Sequence, residues 1–238
     1  MSTANGNTPN LYFRNVIPTD LPVIHSLESK AYPTDEAASR SKLQYRQHHA
    51  ATFFRCAVLL PEEDNVTLSS KIPLTRKTST SAAPNVNDYT LSQKHNSLNG
   101  KGEIIAFISS TRCQTFSDRS MTIHDPTGPL LAIHSVVVSD SYRHRGVGSA
   151  LLKNYLSYLS KLELKHGIQK VILMAKKDDL TFYLTEGDFR VMRQSLVKHG
   201  KDIWYECERE LGDNGKTKGE RRSECWIVDA FALTGTGT

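Results

Sequence analysis

Residues 130–159 read LLAIHSVVV–SDSYRHRGVG–SALLKNYLSYL, and the fold is decided here. The first nine, Leu130–Val138, are rich in β-branched side chains, which suit a pleated strand. The last eleven bring Leu151, Leu152, Tyr155, Leu159 and, just beyond, Leu162 near one face of a helix expected over 149–164. Between them lies a turn in which Arg143, Gly146 and Gly148 form R-x-x-G-x-G. Glycine lets a backbone approach a ligand closely. A helix opening straight from such a turn presents unpaired N–H groups and the positive end of its dipole. A pyrophosphate suits that place, and Arg143, His144 and Arg145 add cations beside it. The spacing is not a Walker loop, because no G-K-[ST] follows. Nor is it a dinucleotide fingerprint, which needs G-x-G-x-x-G in the first strand–helix unit.

Working outward, residues 11–18 alternate as a first strand that Pro18 ends. Asp20 is the expected cap of a helix with Pro22 in its first turn and Val23, Ile24, Leu27 and Ala31 on one face. A second helix is expected over 39–51 and buried strands over 53–60 and 103–111. The intervening 61–102 is rich in Ser, Thr, Asn, Lys and Pro, and is read as a disordered insertion that buries too little to offset its ordering entropy. Thr78 and Ser79 follow Arg76 and Lys77 there, a pattern basic-directed kinases use. After the central helix come a buried strand over 170–175, a short helix capped by Asp178 or Asp179 and running to Leu184, and a last strand over 203–210. The order strand-helix-helix-strand-strand-strand-helix-strand-helix-strand predicts an α/β fold of the mixed α+β kind, with helices on both faces of one sheet. Residues 1–10 and 212–238 read as loose termini around a domain over 11–211, although the apolar 225–233 has the composition to dock somewhere.

Composition narrows the classes. The 238 residues are 38% hydrophobic and 23% charged, enough for one cored domain with appendages. No window approaches the roughly 18 apolar residues of a membrane span, and no basic start with an apolar run marks a leader. Cys56, Cys113, Cys207 and Cys225 are scattered without C-x-x-C spacing, which predicts reduced thiols in a cytoplasmic protein and no metal site. The net charge of +5 is spread along the chain, so it points away from nucleic acid and suits an anionic small molecule.

The strand and R-x-x-G-x-G turn resemble the acetyl-CoA loop of the GNAT superfamily, and within it the chain resembles the serotonin (arylalkylamine) N-acetyltransferase family. Residues 13–32 are similar to that family's first strand and helix, ending E-x-x-A-[FY] at Glu28, Ala31 and Tyr32. SDRSMTIHDPTG over 117–128 is similar to its E-S-M-x-x-H-x-P-x-G stretch, with Arg119 in place of an acidic residue. ILMAKKDDLTFYLTEG over 172–187 is similar to the strand and helix that close the site. The resemblance covers 11–60 and 103–211 and skips the insertion and both tails.

It implies a mostly antiparallel central sheet with splayed central strands, and acetyl-CoA lying in the gap between strands 130–138 and 170–175. The pantetheine would pair with the backbone of Val136, Val137 and Val138 as an added strand. The pyrophosphate would rest on Arg143, His144, Arg145, Gly146, Val147, Gly148 and Ser149. His134 matches a proton-accepting histidine, Val136 N–H an oxyanion donor, and Tyr183 the phenol that protonates the leaving thiolate. The family has a second histidine where this chain has Ala132, a substitution expected to leave space in the pocket. Tyr32, Pro33, Met174 and Trp204 match the amine pocket. An aryl amine would stack on Tyr32 or Trp204, whereas a polyamine would want carboxylates such as Asp35 and Glu36, and both acceptors stay open. The expected partner is thus a small primary amine, acting on a monomer with no nucleic acid or membrane involved. Protein or peptide acetylation and a non-catalytic CoA-binding module are the other readings.

Overall fold

The structure, a computed structural model, describes residues 9–60, 102–117, 120, 122–197 and 200–211. The expected insertion, apart from Gly102, lies outside the described residues, as do Thr78, Ser79, Arg119, Cys225 and the segments 1–8 and 212–238.

Among the described residues, seven strands form one sheet: β1 (Leu11–Asn15), β2 (Phe54–Leu59), β3 (Glu103–Cys113), β4 (Leu130–Val138), β5 (Lys170–Lys176), β6 (Arg190–Gln194) and β7 (Trp204–Glu210). Their spatial order is β1-β2-β3-β4-β5-β7-β6. All neighbours pair antiparallel except β4 and β5, which run parallel. The mixed, mostly antiparallel sheet expected from sequence is therefore present. β6 was not foreseen: its burial pattern is exposed nearly throughout, so it carries no apolar signature of its own and exists by pairing with β7. Where the chain returns into β3, Gly102 has φ +119 and any Cβ would lie 2.6 Å from the Leu59 carbonyl oxygen, so only glycine fits.

Helices α1 (Leu21–Ala31) and α2 (Arg40–His49) cover one face, and α3 (Val147–His166) and α4 (Leu180–Gly187) the other. Under α1 and α2, Ile24, Leu43, Phe54, Phe107 and Val137 make one core. Under α3 and α4, Ile105, Ile108, Leu131, Leu151, Tyr155, Leu159 and Val171 make a larger one. Two expected caps are corrected. Asp20 makes no side-chain cap to α1; its carboxylate accepts from the Arg14 guanidinium at 2.6 and 3.0 Å and from the Ile17 N–H at 2.8 Å. Asp179 likewise makes no side-chain cap to α4. Ser39 does cap α2, accepting from Lys42 N–H.

β4 and β5 pair only from Leu130↔Lys170 to Ile133↔Leu173. Beyond that, β4 continues along β3 to Val138↔Ala106, and β5 continues along β7 to Lys176↔Trp204. The sheet thus opens in its middle. The parting coincides with a bulge: Ser109 pairs with Ser135 but Ser110 with Ile133, so His134 is the extra residue of β4. A bulge bends its strand and steepens the local twist. It also shifts the alternation, so that Leu131, Ile133 and then Val136 and Val138 pack toward α3, while Val137 packs toward α1.

The Arg14–Asp20 pair anchors the start of α1, with both side chains 9% exposed. Removing one partner leaves a buried charge uncompensated, which typically costs about 3–5 kcal/mol. Asp20→Ala is expected to lower the thermal midpoint accordingly, read by circular dichroism.

Candidate active site

The gap between the parted strands is a cavity walled by Ile133, His134, Ser135 and Val136 of β4 and by Leu173, Met174, Ala175 and Lys176 of β5. α1 and the turn after it add Glu28, Ala31, Tyr32, Pro33 and Glu36; Asp179, Tyr183 and Trp204 close the far side. The structure therefore brings His134, Tyr183, Val136, Tyr32, Pro33, Met174 and Trp204 together around one space. Of the two carboxylates named for a polyamine, Glu36 lines it and Asp35 does not.

His134 Nε2 lies 2.6 Å from Thr111 Oγ1, and that hydroxyl is 3.4 Å from the Ser120 carbonyl. The hydroxyl has one proton and the carbonyl can only accept. Donating it to Ser120 makes Nε2 the donor to Thr111 and leaves the lone pair on Nδ1. The phenol of Tyr183 is pushed well above its ordinary range by burial and by the neighbouring Tyr32 and Asp179. It therefore stays protonated across the physiological range. Tyr32 is raised too, by burial first and then by Glu28, while its oxygen bonds the Val136 N–H. The donor expected for an oxyanion is thus engaged by Tyr32 here.

Two carboxylates on the cavity wall are almost fully buried. Glu28, 2% exposed, accepts from Ala38 N–H at 2.8 Å and from Ser135 Oγ at 3.1 Å, both on Oε1; Oε2 has no hydrogen-bond partner. Glu36, 7% exposed, takes Lys176 Nζ on Oε1 at 2.8 Å, and its Oε2 likewise has none. Lys176 also reaches Asp202 at 2.6 Å and lies 5.1 Å from the centre of the Trp204 ring. A readable signal for Glu28 existed: it stands four residues after Ile24 and three before Ala31, a charge on the apolar face of α1. Ser135 and Thr111 carried none, because only the sheet register brings them to Glu28 and His134.

Ala132 requires a correction. It does not line the cavity; it is fully buried against Cys113 and Ile172, with Phe116 and Leu130 beside them. Ala132 lies deeper along β4 than His134, paired with Thr111 and packed beside Ile172, so it leaves no space in the pocket.

At the far end of β4 the turn has the shape the sequence required. Gly146 has φ +78 with open space around it, and His144 also takes a left-handed φ of 59. α3 opens at Val147, two residues earlier than expected. Arg143 is held by Asp140 and the Val138 carbonyl, each at 3.2 Å, and Arg145 lies 5.8 Å from the centre of the Tyr142 ring. The Ser149 hydroxyl bonds Glu186. Among the cysteines, Cys56, Cys113 and Cys207 are free and buried, and burial pushes the Cys56 and Cys207 thiols up to about 12.

With this geometry in hand, comparison with known proteins is informative. The model of the Acetyltransferase (GNAT) family matches residues 79–183. Serotonin N-acetyltransferase of Mesocricetus auratus is 28% identical over 113 residues, 47% of this chain and 53% of that protein. The chain thus spans about half the length of this curated relative. The fold is shared with a GNAT-like decarboxylase, GphF, solved with isobutyryl-CoA, at a TM-score of 0.55 and 17% identity over 84% of this chain and 100% of that one. It is shared also with Arabidopsis thaliana Naa50, solved with the bisubstrate analogue CoA-Ac-MVNAL, at a TM-score of 0.51 and 10% identity over 84% of this chain and 97% of that one. A mixed sheet parted at its one parallel pair, above a glycine turn that opens a helix, defines the GNAT class of fold. The chain thus shares the GNAT fold, and the family model matches it over residues 79–183, less than half of its length.

Because Ala132 sits in a filled core, Ala132→His is expected to overpack it at a cost of about 1–3 kcal/mol. The outcome is a lower thermal midpoint with no gain in any cavity-based activity, checked by melting and ligand-binding measurements on the variant.

Proposed function

We propose that the protein transfers an acetyl group from acetyl-CoA to a small primary amine. The observation that carries this is the gathering of His134, Tyr183, Tyr32, Met174 and Trp204 around the parting of β4 and β5. The residues fit the donor. The edge of β4 that leaves β5 after Ile133 offers the backbone of Val136, Val137 and Val138 to a pantetheine. Arg143, His144, Arg145, Gly146, Val147, Gly148 and Ser149 would hold the pyrophosphate at the start of α3. The family match and the CoA compounds named for the two neighbouring structures support the same donor.

The acceptor arrives as an ammonium, since alkyl amines titrate near about 10.4, and must be deprotonated before it attacks. His134, oriented through Thr111, serves as a base. The Val136 N–H, once Tyr32 yields it, serves the developing oxyanion. Tyr183, kept protonated by burial, gives its proton to the leaving thiolate. Tyr32, Pro33, Met174 and Trp204 would enclose the amine's carbon chain or ring. Aromatic walls suit an arylalkylamine, and Glu28 and Glu36 favour a polyamine, whose ammonium groups satisfy buried carboxylate oxygens.

The test is acetyl-CoA-dependent thiol release with spermidine, putrescine, tryptamine, serotonin and a lysine peptide. His134→Ala and Tyr183→Phe are each expected to lower kcat about 10²- to 10⁴-fold with acetyl-CoA binding retained. With its phenol raised, Tyr183 should impose no alkaline loss of rate below about pH 10. Turnover of the peptide alone would replace the small-amine acceptor; no turnover of any amine would overturn the proposal.

A further inference from the structure

A primary ammonium loses two protons on its way to an amide: one before its lone pair can attack, and one from nitrogen after the C–N bond forms. Each needs an acceptor at the nitrogen. His134 can take one. Ala132, two positions earlier on β4, offers no second acceptor and is buried with Cys113 and Ile172.

Resting on the acetyltransferase reading, we propose that Glu28 is a further catalytic residue, whose Oε2 binds the ammonium in the cavity and receives its first proton. Glu28 lines the same cavity as His134 and Tyr183. Its structural duties fall on one oxygen: Oε1 takes both the Ala38 N–H, which ties α1 to the turn behind it, and the Ser135 hydroxyl, which ties α1 to β4. Those duties leave Oε2 unexplained, a buried oxygen without a hydrogen bond in a side chain 2% exposed. Such an atom costs about 1–3 kcal/mol, more if charged, unless something satisfies it. An ammonium N–H is the donor that chemistry at this site supplies.

The surroundings suit a base. Burial pushes the Glu28 carboxyl up, against the Ala38 bond, the charge of Arg46, the Ser135 bond and the charge of His25, which pull it down. Arg46 reaches in from α2, holds Ser109 Oγ at 3.3 Å and is itself lowered to about 10 by burial. Tyr32 and His134 line the same cavity as Glu28. A carboxyl raised in this way accepts a proton more readily than a solvated one.

The step balances. An N–H bond of the ammonium breaks and an O–H bond forms on Glu28 Oε2. The freed lone pair attacks the thioester carbonyl carbon, forming C–N, and His134 takes the second N–H proton. The C–S bond breaks and the thiolate takes the Tyr183 proton. His134 then returns its proton to the Tyr183 phenolate, and Glu28 releases its own to solvent.

The experiment is the pH dependence of kcat/KM for Glu28→Gln, in which the amide oxygen still accepts from Ala38 and Ser135. Without the carboxylate only the neutral amine reacts, so kcat/KM should fall about tenfold per pH unit below the amine pKa of about 10.4, while the parent chain falls less steeply. At pH 7 a loss of roughly 100-fold is expected with an ordinary alkyl amine. It should shrink to within about threefold for a difluorinated analogue that is largely neutral at that pH. An equal loss with both amines at every pH, or no loss, overturns the proposal. If Glu28→Gln does not fold, Ser135→Ala serves: it removes a bond to the ionised carboxylate, so the acidic limb should move to higher pH, and an unmoved limb overturns the role. A parent chain that acetylates no amine overturns the reading beneath it, an outcome distinct from an active parent with an indifferent Glu28→Gln.

Discussion

β4 and β5 stay together for four residue pairs, from Leu130↔Lys170 to Ile133↔Leu173, and then each follows its other neighbour. Every feature of the cavity depends on that separation. Parallel pairing gives the two strands the same direction, so their carboxyl ends leave the junction side by side, and a ligand entering there meets both. The bulge at His134 supplies the bend, and the antiparallel partners β3 and β7 supply enough pairing to hold each strand straight after it has lost the other. In the interior of a sheet, an opened edge costs unpaired backbone groups. Such an opening persists when a ligand repays it, and a chain that lies down as an added strand is suited to do so.

Beside the opening, the middle of β3 is polar, and hydrogen bonds to elements on both faces hold it. Ser109, Ser110 and Thr111 are consecutive and fully buried on β3. Ser109 receives Arg46 from α2, Ser110 lies 2.9 Å from the Tyr155 hydroxyl of α3, and Thr111 meets His134. Three neighbouring hydroxyls thus fasten three different elements. A buried network of this kind is stabilising only when its members are satisfied. Two buried carboxylate oxygens without a hydrogen bond, Glu28 Oε2 and Glu36 Oε2, lie on the cavity wall.

The mouth is shaped by charge. Lys176, at the end of β5, bridges Glu36 from the α1–α2 turn and Asp202 from the β6–β7 loop, so two loops remote in sequence close over the end of the parted strand. Gly200 makes this possible, because a Cβ there would come within 2.7 Å of Glu36 Oε1. Lys176 beside Trp204 adds a cation–π contact to the bridge.

Much of this was legible in the residues. β-branched runs placed the buried strands, and the glycine spacing of 143–148 placed the turn and the start of α3; the family resemblance, not residue type alone, singled out positions 32, 134, 174, 183 and 204, which do meet in one cavity. Such features are local, and local preferences survive into the fold. What the residues could not state is anything that depends on register. A bulge leaves no mark in composition, yet beyond His134 it reverses which β4 side chains face α1 and which face α3. β6 is a strand only because β7 lies beside it. Asp20 looked like a helix cap until Arg14, six residues earlier, claimed its carboxylate. Glu28 carried one legible anomaly, a charge on an apolar helix face, but its meaning came from Ser135, 107 residues away. The sequence by itself determined most of the elements and the glycine turn between β4 and α3. The tertiary structure decided which side chains face one another, because side-chain contacts across a sheet follow from strand pairing, and pairing is a property of the whole chain.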